Sequence, residues 1–328
     1  MTIQLRPISF TDREALIQAY ELENSATREA RGDGWTPLPA EVRLQRWTNQ
    51  PGFTYALVGA WQESELVGLG QRCSWEKEPE DHFVEVAVEP AYRLRGIGRG
   101  LLDMLESGAG PYARRFVSEP FLPDRPAMLT LVDGFCARTG YALGSVEVLQ
   151  ETTLQDATIP VADPVPGWQL HVHVDGLPDA MLPEVGVIQG LVDEQAPSGD
   201  IEWHAHPVTP EEYREDLATV VAEGSHLVEA VVTAPDGRVA GWTALTTAVT
   251  PDRPAQVVAT LVLEEFRGHG LGMALKSAVA RRALELGVTR LTTQSDQANT
   301  WMLEINRRQG FLPAGIRACL HKQLRRCV

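Results

Sequence analysis

Long apolar runs are missing from this 328-residue sequence. Nothing in it approaches the roughly 20 consecutive apolar residues that a bilayer-crossing helix needs. Cysteine is scarce: Cys73, Cys136, Cys319 and Cys327 form no C-x-x-C pair. Neither a zinc knuckle nor a thioredoxin-like centre is therefore suggested, and four thiols in so long a chain fit a reducing compartment. Basic charge is also short, with 29 Lys and Arg against 44 Asp and Glu and a formal net charge of −15. Such a field repels polyanions, which argues against a nucleic-acid partner, and it favours a cationic substrate such as an amine. The opening MTIQLRPISFTDRE lacks the apolar core of a secretory signal. The expectation is a cytoplasmic protein with no membrane partner.

What is present is enough for two ordinary domains, with 44% hydrophobic residues. Residues 3–8 read as a strand. A capping-box pattern at Thr11 and Glu14 opens a helix through about Leu22. A short helix at 41–47, a strand pair at 54–61 and 66–73, a strand at 82–88, a helix from Arg99 and strands near 115–118 and 142–151 follow. Residues 155–167 (QDATIPVADPVPG) are rich in Pro and Asp and read as a linker. After it the same order recurs: a strand at 168–174, helices at 181–194 and 211–221, and a hairpin across Pro235–Gly237. A strand at 256–263, a helix from Gly272, a strand at 290–294 and a helix at 299–308 complete it. Domains are expected at 1–154 and 168–328. Landmarks support a duplication: Arg93, Gly96 and Gly98 precede Arg267, Gly270 and Gly272 by 174 residues, Val67–Gly68 precedes Ala240–Gly241 by 173, and Gly140–Tyr141 precedes Gly310–Phe311 by 170.

Each half carries R-x-x-G-x-G between a β-rich run and an apolar-periodic helix. The first is Arg93-Leu94-Arg95-Gly96-Ile97-Gly98; the second is Arg267-Gly268-His269-Gly270-Leu271-Gly272. Glycine admits positive φ and removes the Cβ that would block a ligand. Successive N–H groups at a helix start can then wrap a pyrophosphate. A tight strand–helix turn without a ligand would use the same residues. A dinucleotide-binding reading fits poorly, because the third glycine and the distal acid are out of place, and no G-K-[ST] supports a Walker loop.

These motifs resemble the GNAT acyltransferase family, whose pyrophosphate loop is [QR]-x-x-G-x-[GA]. The doubled order of elements resembles its tandem members, and the resemblance covers nearly the whole chain. The run Asn299 to Phe311 is similar to the family's N-x-x-A-x-x-x-Y-x-x-x-G-F segment. The resemblance implies an α/β (α+β) protein of two tandem GNAT folds, each a mixed, mostly antiparallel sheet flanked by helices. It implies an acyl-CoA, most simply acetyl-CoA, as co-substrate, and direct transfer to an amine of a small molecule. Leu261, Val262 and Leu263 would bond the pantetheine arm as a further strand would, Arg267 to Gly272 would cradle the pyrophosphate, and Asn299 would hold the arm. Val86, Ala87 and Val88 with Arg93 to Gly98 would do the first two tasks in the N-terminal half.

Chemistry is expected in the C-terminal half. Asn306 stands there at the family's tyrosine position and cannot act as its acid; in the N-terminal half Cys136 takes that place, and a Pro-rich run, residues 119–126, replaces the Asn-bearing segment. The N-terminal half is accordingly expected to bind cofactor weakly or to be structural. Candidate bases are Glu85, on a strand where family members often carry a catalytic Glu but where it could equally be a solvated strand residue, and Glu202 or His204 in the loop Asp200 to His206. Two H-x-H pairs, His171/His173 and His204/His206, lack a third ligand at a recognisable spacing, and no metal is expected. A fused pair could serve as a monomeric pseudo-dimer or form a homodimer. The rival reading is a non-catalytic acyl-CoA-binding or regulatory protein.

Overall fold

The computed structural model describes residues 3–32, 37–155, 159–160, 166–247 and 253–324. Most of the expected linker and the basic tail at 325–326 lie outside them. The chain divides into two compact units, Met1–Val146 with Gly315–Val328, and Glu147–Ala314. No helix among the described residues is long and apolar enough to cross a membrane.

Unit 1 runs β1 (Gln4–Pro7), α1 (Arg13–Arg31), α2 (Ala40–Asn49), β2 (Phe53–Gln62), β3 (Glu65–Trp75), β4 (Glu78–Val88), α3 (Ile97–Ser107), β5 (Arg115–Ser118), β6 (Phe121–Leu122), α4 (Arg125–Leu131), a π-helical turn and α5 (Ala137–Thr139), then the start of β7 (Ala142–Thr153). Strands β1 to β4 pair antiparallel in chain order, and β4 meets β5 in parallel. Alternation sends Leu57 to one face, where α1 and α2 supply Leu16, Ala19, Leu22, Leu44 and Trp47, and Val58 to the other, where α3 supplies Ile97, Leu101 and Leu105. The first helix outruns its expected end at Leu22 and is capped by Asp12, whose Oδ1 accepts from Ala15 N at 3.1 Å. The expected box at Thr11 and Glu14 does not form; Thr11 bonds Ser9 instead.

Unit 2 comprises β8 (Gln169–Val174), α6 (Leu182–Gly190), α7 (Val192–Gln195), α8 (Pro210–Ala222), β9 (Leu227–Thr233), β10 (Val239–Thr246), β11 (Ala255–Val262), α9 (Leu271–Glu285), β12 (Arg290–Asp296), α10 (Thr300–Arg308) and the start of β13 (Leu312–Gln323). Its sheet repeats the pattern: β8 to β11 pair antiparallel, β11 and β12 in parallel. On β9, Val228, Ala230 and Val232 pack toward α9, while Val231 packs toward α6 and Tyr213 of α8. Each unit is thus an α/β layer structure with a mixed, mostly antiparallel sheet.

The units depart from the expected 1–154 and 168–328. Residues 147–153 pair antiparallel with β12 inside unit 2, and residues 320–323 pair with β5 inside unit 1. Composition marks a linker by its proline, but long-range strand pairing decides where each end strand is buried.

Candidate functional site

In both units the parallel pair comes apart soon after it forms. Strands β4 and β5 match only at Asp81–Arg115, His82–Phe116 and Phe83–Val117. From Val84 to Val88 one edge of β4 has no strand partner among the described residues of unit 1, and these residues line a cavity of about 1010 Å³. Strand β5 is short and runs into Pro120, which has no N–H to continue a ladder. In unit 2 the match ends after Ala255–Leu291 and Gln256–Thr292, leaving 257–262 unpaired on that side. A free strand edge can take an extended polar chain by β-type hydrogen bonds.

The loops that follow have the same build. Gly96 and Gly270 sit at φ +83° and +71° at the start of α3 and α9, and a Cβ at either would meet nothing within 4 Å. Gly268 is also left-handed at φ +83°; the matching place in unit 1 is held by Leu94 at φ +62°, fully exposed. Among the described residues, the N–H groups of 94–99 and 268–273 bond no other backbone group. Open amides at a helix start are an arrangement that can hold an anion.

The loop side chains do something other than expected. Arg93 Nε donates to Val88 O at 2.8 Å and its Nη groups to Glu29 of α1; Arg267 Nε donates to Val262 O at 3.0 Å and its Nη2 to Gln195 of α7 at 2.7 Å. Each arginine buckles the strand end to a helix, so its side chain is spent on the fold. Arg95 turns back to Ala91 O and His269 toward Phe266 O and Arg267 O. The backbone, with Ile97, Gly98, Leu271 and Gly272 opening the helices, keeps its amides open.

Glu85 lies on the free part of β4 and lines the cavity. Its surface opens to that cavity, so a small molecule can reach it while protein surrounds it. Gln71, directly opposite on β3, donates Nε2 to Glu85 Oε2 at 2.5 Å and to Glu23 Oε1 at 3.2 Å. Arg43 of α2 holds Glu23 through Nε at 2.8 Å and reaches Gln71 Oε1 at 3.0 Å, where Trp47 Nε1 also donates at 3.1 Å. Desolvation is the main force raising the Glu85 pKa; Glu23 and Glu119 add to it, while Gln71 and Arg43 oppose it. A carboxylate so poised holds a proton more readily than one in water.

Unit 2 lacks this pair. Val262 matches Val88, since each ends its strand, faces a glycine (Gly241 or Gly68) and accepts from the loop arginine. Three residues back, Glu85 corresponds to Ala259, and opposite it Gln71 corresponds to Ala244. A buried carboxylate does exist there: Glu229 of β9, wholly enclosed, accepts from Trp242 Nε1 at 2.9 Å and Tyr213 Oη at 2.5 Å. Both of its oxygens are thereby engaged.

The remaining expected residues scatter. Asn306 is fully buried, donating to Gln150 at 2.8 Å, and has no surface from which to meet a leaving thiolate. Asn299 caps α10, its Oδ1 accepting from Met302 N at 3.1 Å, so that oxygen is committed to the helix. Glu202 and His204 are exposed in an irregular segment whose end is bound along α6, His206 N to Gly190 O and Val208 N to Gly186 O. Among the described residues, no three His, Cys, Asp or Glu side chains are grouped to hold a metal ion. Gln71, Glu23 and Arg43 had no motif to reveal them; only the register of β3 on β4 and the packing of α1 and α2 do so.

Comparison with known proteins agrees with this geometry. The sequence profile of the acetyltransferase (GNAT) family matches residues 16–117 and again 189–311. No curated protein matches the sequence. Among solved structures, a tandem GNAT protein from the clavulanic acid biosynthesis pathway superposes with a TM-score of 0.77 at 21% identity, covering 98% of each chain. A GCN5-related N-acetyltransferase from Sphaerobacter thermophilus gives 0.70 at 17% identity, over 99% of this chain and 97% of that one. With two profile matches that together span more than half its length, each on a unit with a splayed strand and an amide cradle, the chain belongs to the GNAT acetyltransferase family.

Proposed function

We propose that the protein transfers an acyl group, most simply acetyl, from an acyl-CoA to the amine of a small molecule, and that unit 1 carries the reaction. The observation that supports this is Glu85, set by Gln71 on the free edge of β4 inside the cavity. The fit of the co-substrate rests on the open amides of 94–99, on the empty space beside Gly96 where a Cβ would stand, and on the unpaired edge from Val84 to Val88. The acyl-CoA supplies an activated acyl carbon as a thioester. The chain's part is to orient the two substrates and to move a proton: an amine arrives largely as ammonium and must lose a proton before it attacks. Glu85 accepts it, its other oxygen having no hydrogen-bond partner among the described residues. Gln71 holds the carboxylate in place, and desolvation first, then the neighbouring carboxylates, raise its basicity.

A second reading concerns unit 2. Its cradle and free strand edge support acyl-CoA binding, while Ala259 and Ala244 stand where unit 1 has its base and the holder of that base. Unit 2 is thus read as binding without turnover, which reverses the division of labour expected from the segment Asn299 to Phe311 and the Pro-rich run 119–126.

Glu85→Gln in the full chain tests the proposal. Its amide keeps an oxygen for Gln71 but cannot take up the proton, so kcat for thiol release with an amine is expected to fall roughly 100-fold or more, with acetyl-CoA binding kept. A variant within about threefold of the parent enzyme would place the chemistry elsewhere.

A further inference from the structure

Among the described residues, the carboxylates that line the unit 1 cavity are Glu23, Glu29, Glu85 and Glu119. Three have a guanidinium of their own. Glu29 takes both Nη groups of Arg93. Glu23 takes Nε and Nη2 of Arg43, with side chains only 19% and 17% exposed. Glu119 lies 3.0 Å from Arg317, again with both side chains about one-fifth exposed, at 22% and 20%. Glu85 alone forms no ion pair among the described residues; Arg43 acts on it only at a distance, and its hydrogen-bonded neighbour is the neutral amide of Gln71. Charge that is already matched in a partly closed site attracts little more, and a second unmatched cation would have to shed water without repayment.

The walls between these groups are mostly apolar, with Thr27 and Thr130 among them. Ala26 and Ala30 of α1, Leu69 of β3, and Phe121 and Leu122 of β6 face the same cavity. Such a lining gains from an apolar body and offers a second ammonium nothing.

We propose that the acceptor of unit 1 is a monoamine: one primary ammonium next to Glu85, carried on an apolar aliphatic or aromatic body, in preference to diamines and polyamines. The inference rests on the reading of unit 1 as the reacting unit. It makes Arg43 and Arg317 specificity-determining residues, because each cancels a carboxylate that would otherwise hold a second positive charge. Removing either should leave a second unmatched carboxylate and admit a diamine.

The test measures thiol release by the full chain with saturating acetyl-CoA. The amines are n-alkylamines, phenethylamine and α,ω-diamines of matched length, with spermidine. The expected result is a kcat/KM at least about tenfold higher for the monoamines than for matched diamines, rising with the size of the apolar body. In Arg43→Gln, and separately in Arg317→Gln, that ratio is expected to shrink severalfold or invert. Two variants are used because Arg43 also stacks 4.7 Å over Trp47, and its loss removes that support from α2; thermal unfolding identifies a variant that has lost its fold, and the other then decides. Diamines equal to or better than monoamines in the parent protein overturn the inference and leave the assignment of unit 1 standing. So does an unchanged ratio in the folded variants. Absence of release with every amine overturns both.

Discussion

Lys276 offers a quantitative test of how unit 2 is built. It lies on α9 with 2% of its surface exposed, and its ammonium sits 5.5 Å from the ring of Phe311. No ion pair holds it among the described residues. Desolvation alone pulls its pKa from 10.5 down to about 7. At ~1.4 kcal/mol per pH unit, burying this charge costs about 5 kcal/mol at any pH below both values. The sign follows from proton binding. Between about 7 and 10.5 the folded chain holds fewer protons at this site than the unfolded chain, so stability rises with pH through that window. Below it the full cost is present; above it none remains. Lys276→Met keeps the length of the side chain and removes the charge. The variant is expected to stabilise unit 2 by several kcal/mol at about pH 6, with the gain shrinking to under ~1 kcal/mol near pH 10. Urea unfolding followed by hydrogen exchange at unit 2 amides is the suitable assay, because two units need not unfold as one. Equal gains at both pH values would refute the reasoning, as would a variant less stable than the parent at pH 6.

Two further substitutions probe unit 1. Gln71→Leu removes the donor that favours the ionised form of Glu85. The Glu85 pKa rises further, so the base is formed only at higher pH; the rising limb of the kcat–pH profile should move alkaline, with kcat near pH 7 reduced roughly tenfold. An unmoved limb would separate Gln71 from the proton transfer. Leu94→Gly relieves a fully exposed side chain at φ +62°. The left-handed penalty of ~1–2 kcal/mol outweighs the ~0.5–1 kcal/mol entropy cost of glycine, so unit 1 should gain up to about 1 kcal/mol in denaturant unfolding.

Much of the architecture was legible in the chain itself. The two R-x-x-G-x-G motifs stand 174 residues apart, and both loops put glycine at a left-handed position opening a helix. Period-two alternation marked the strands, and glycine and proline marked their ends. These are local properties, fixed by backbone sterics and by which side of an element is apolar. Glu85 could be singled out for its strand, but its alternation served equally well for a solvated residue. The swap of end strands between halves, the buckling of Arg93 and Arg267 onto strand ends, and the burial of Asn306 had no local signature.

The sequence by itself determined that there are two strand–loop–helix cradles, because positive φ and open amides need glycine at set positions. Tertiary structure alone decided which loop has a carboxylate held beside it. That choice depends on β3 facing β4 in a register that sets Gln71 opposite Glu85, while β10 faces β11 with alanine on both strands. Register is settled by the packing of whole strands against helices, and the charge on a carboxylate by which neighbours that packing brings within reach.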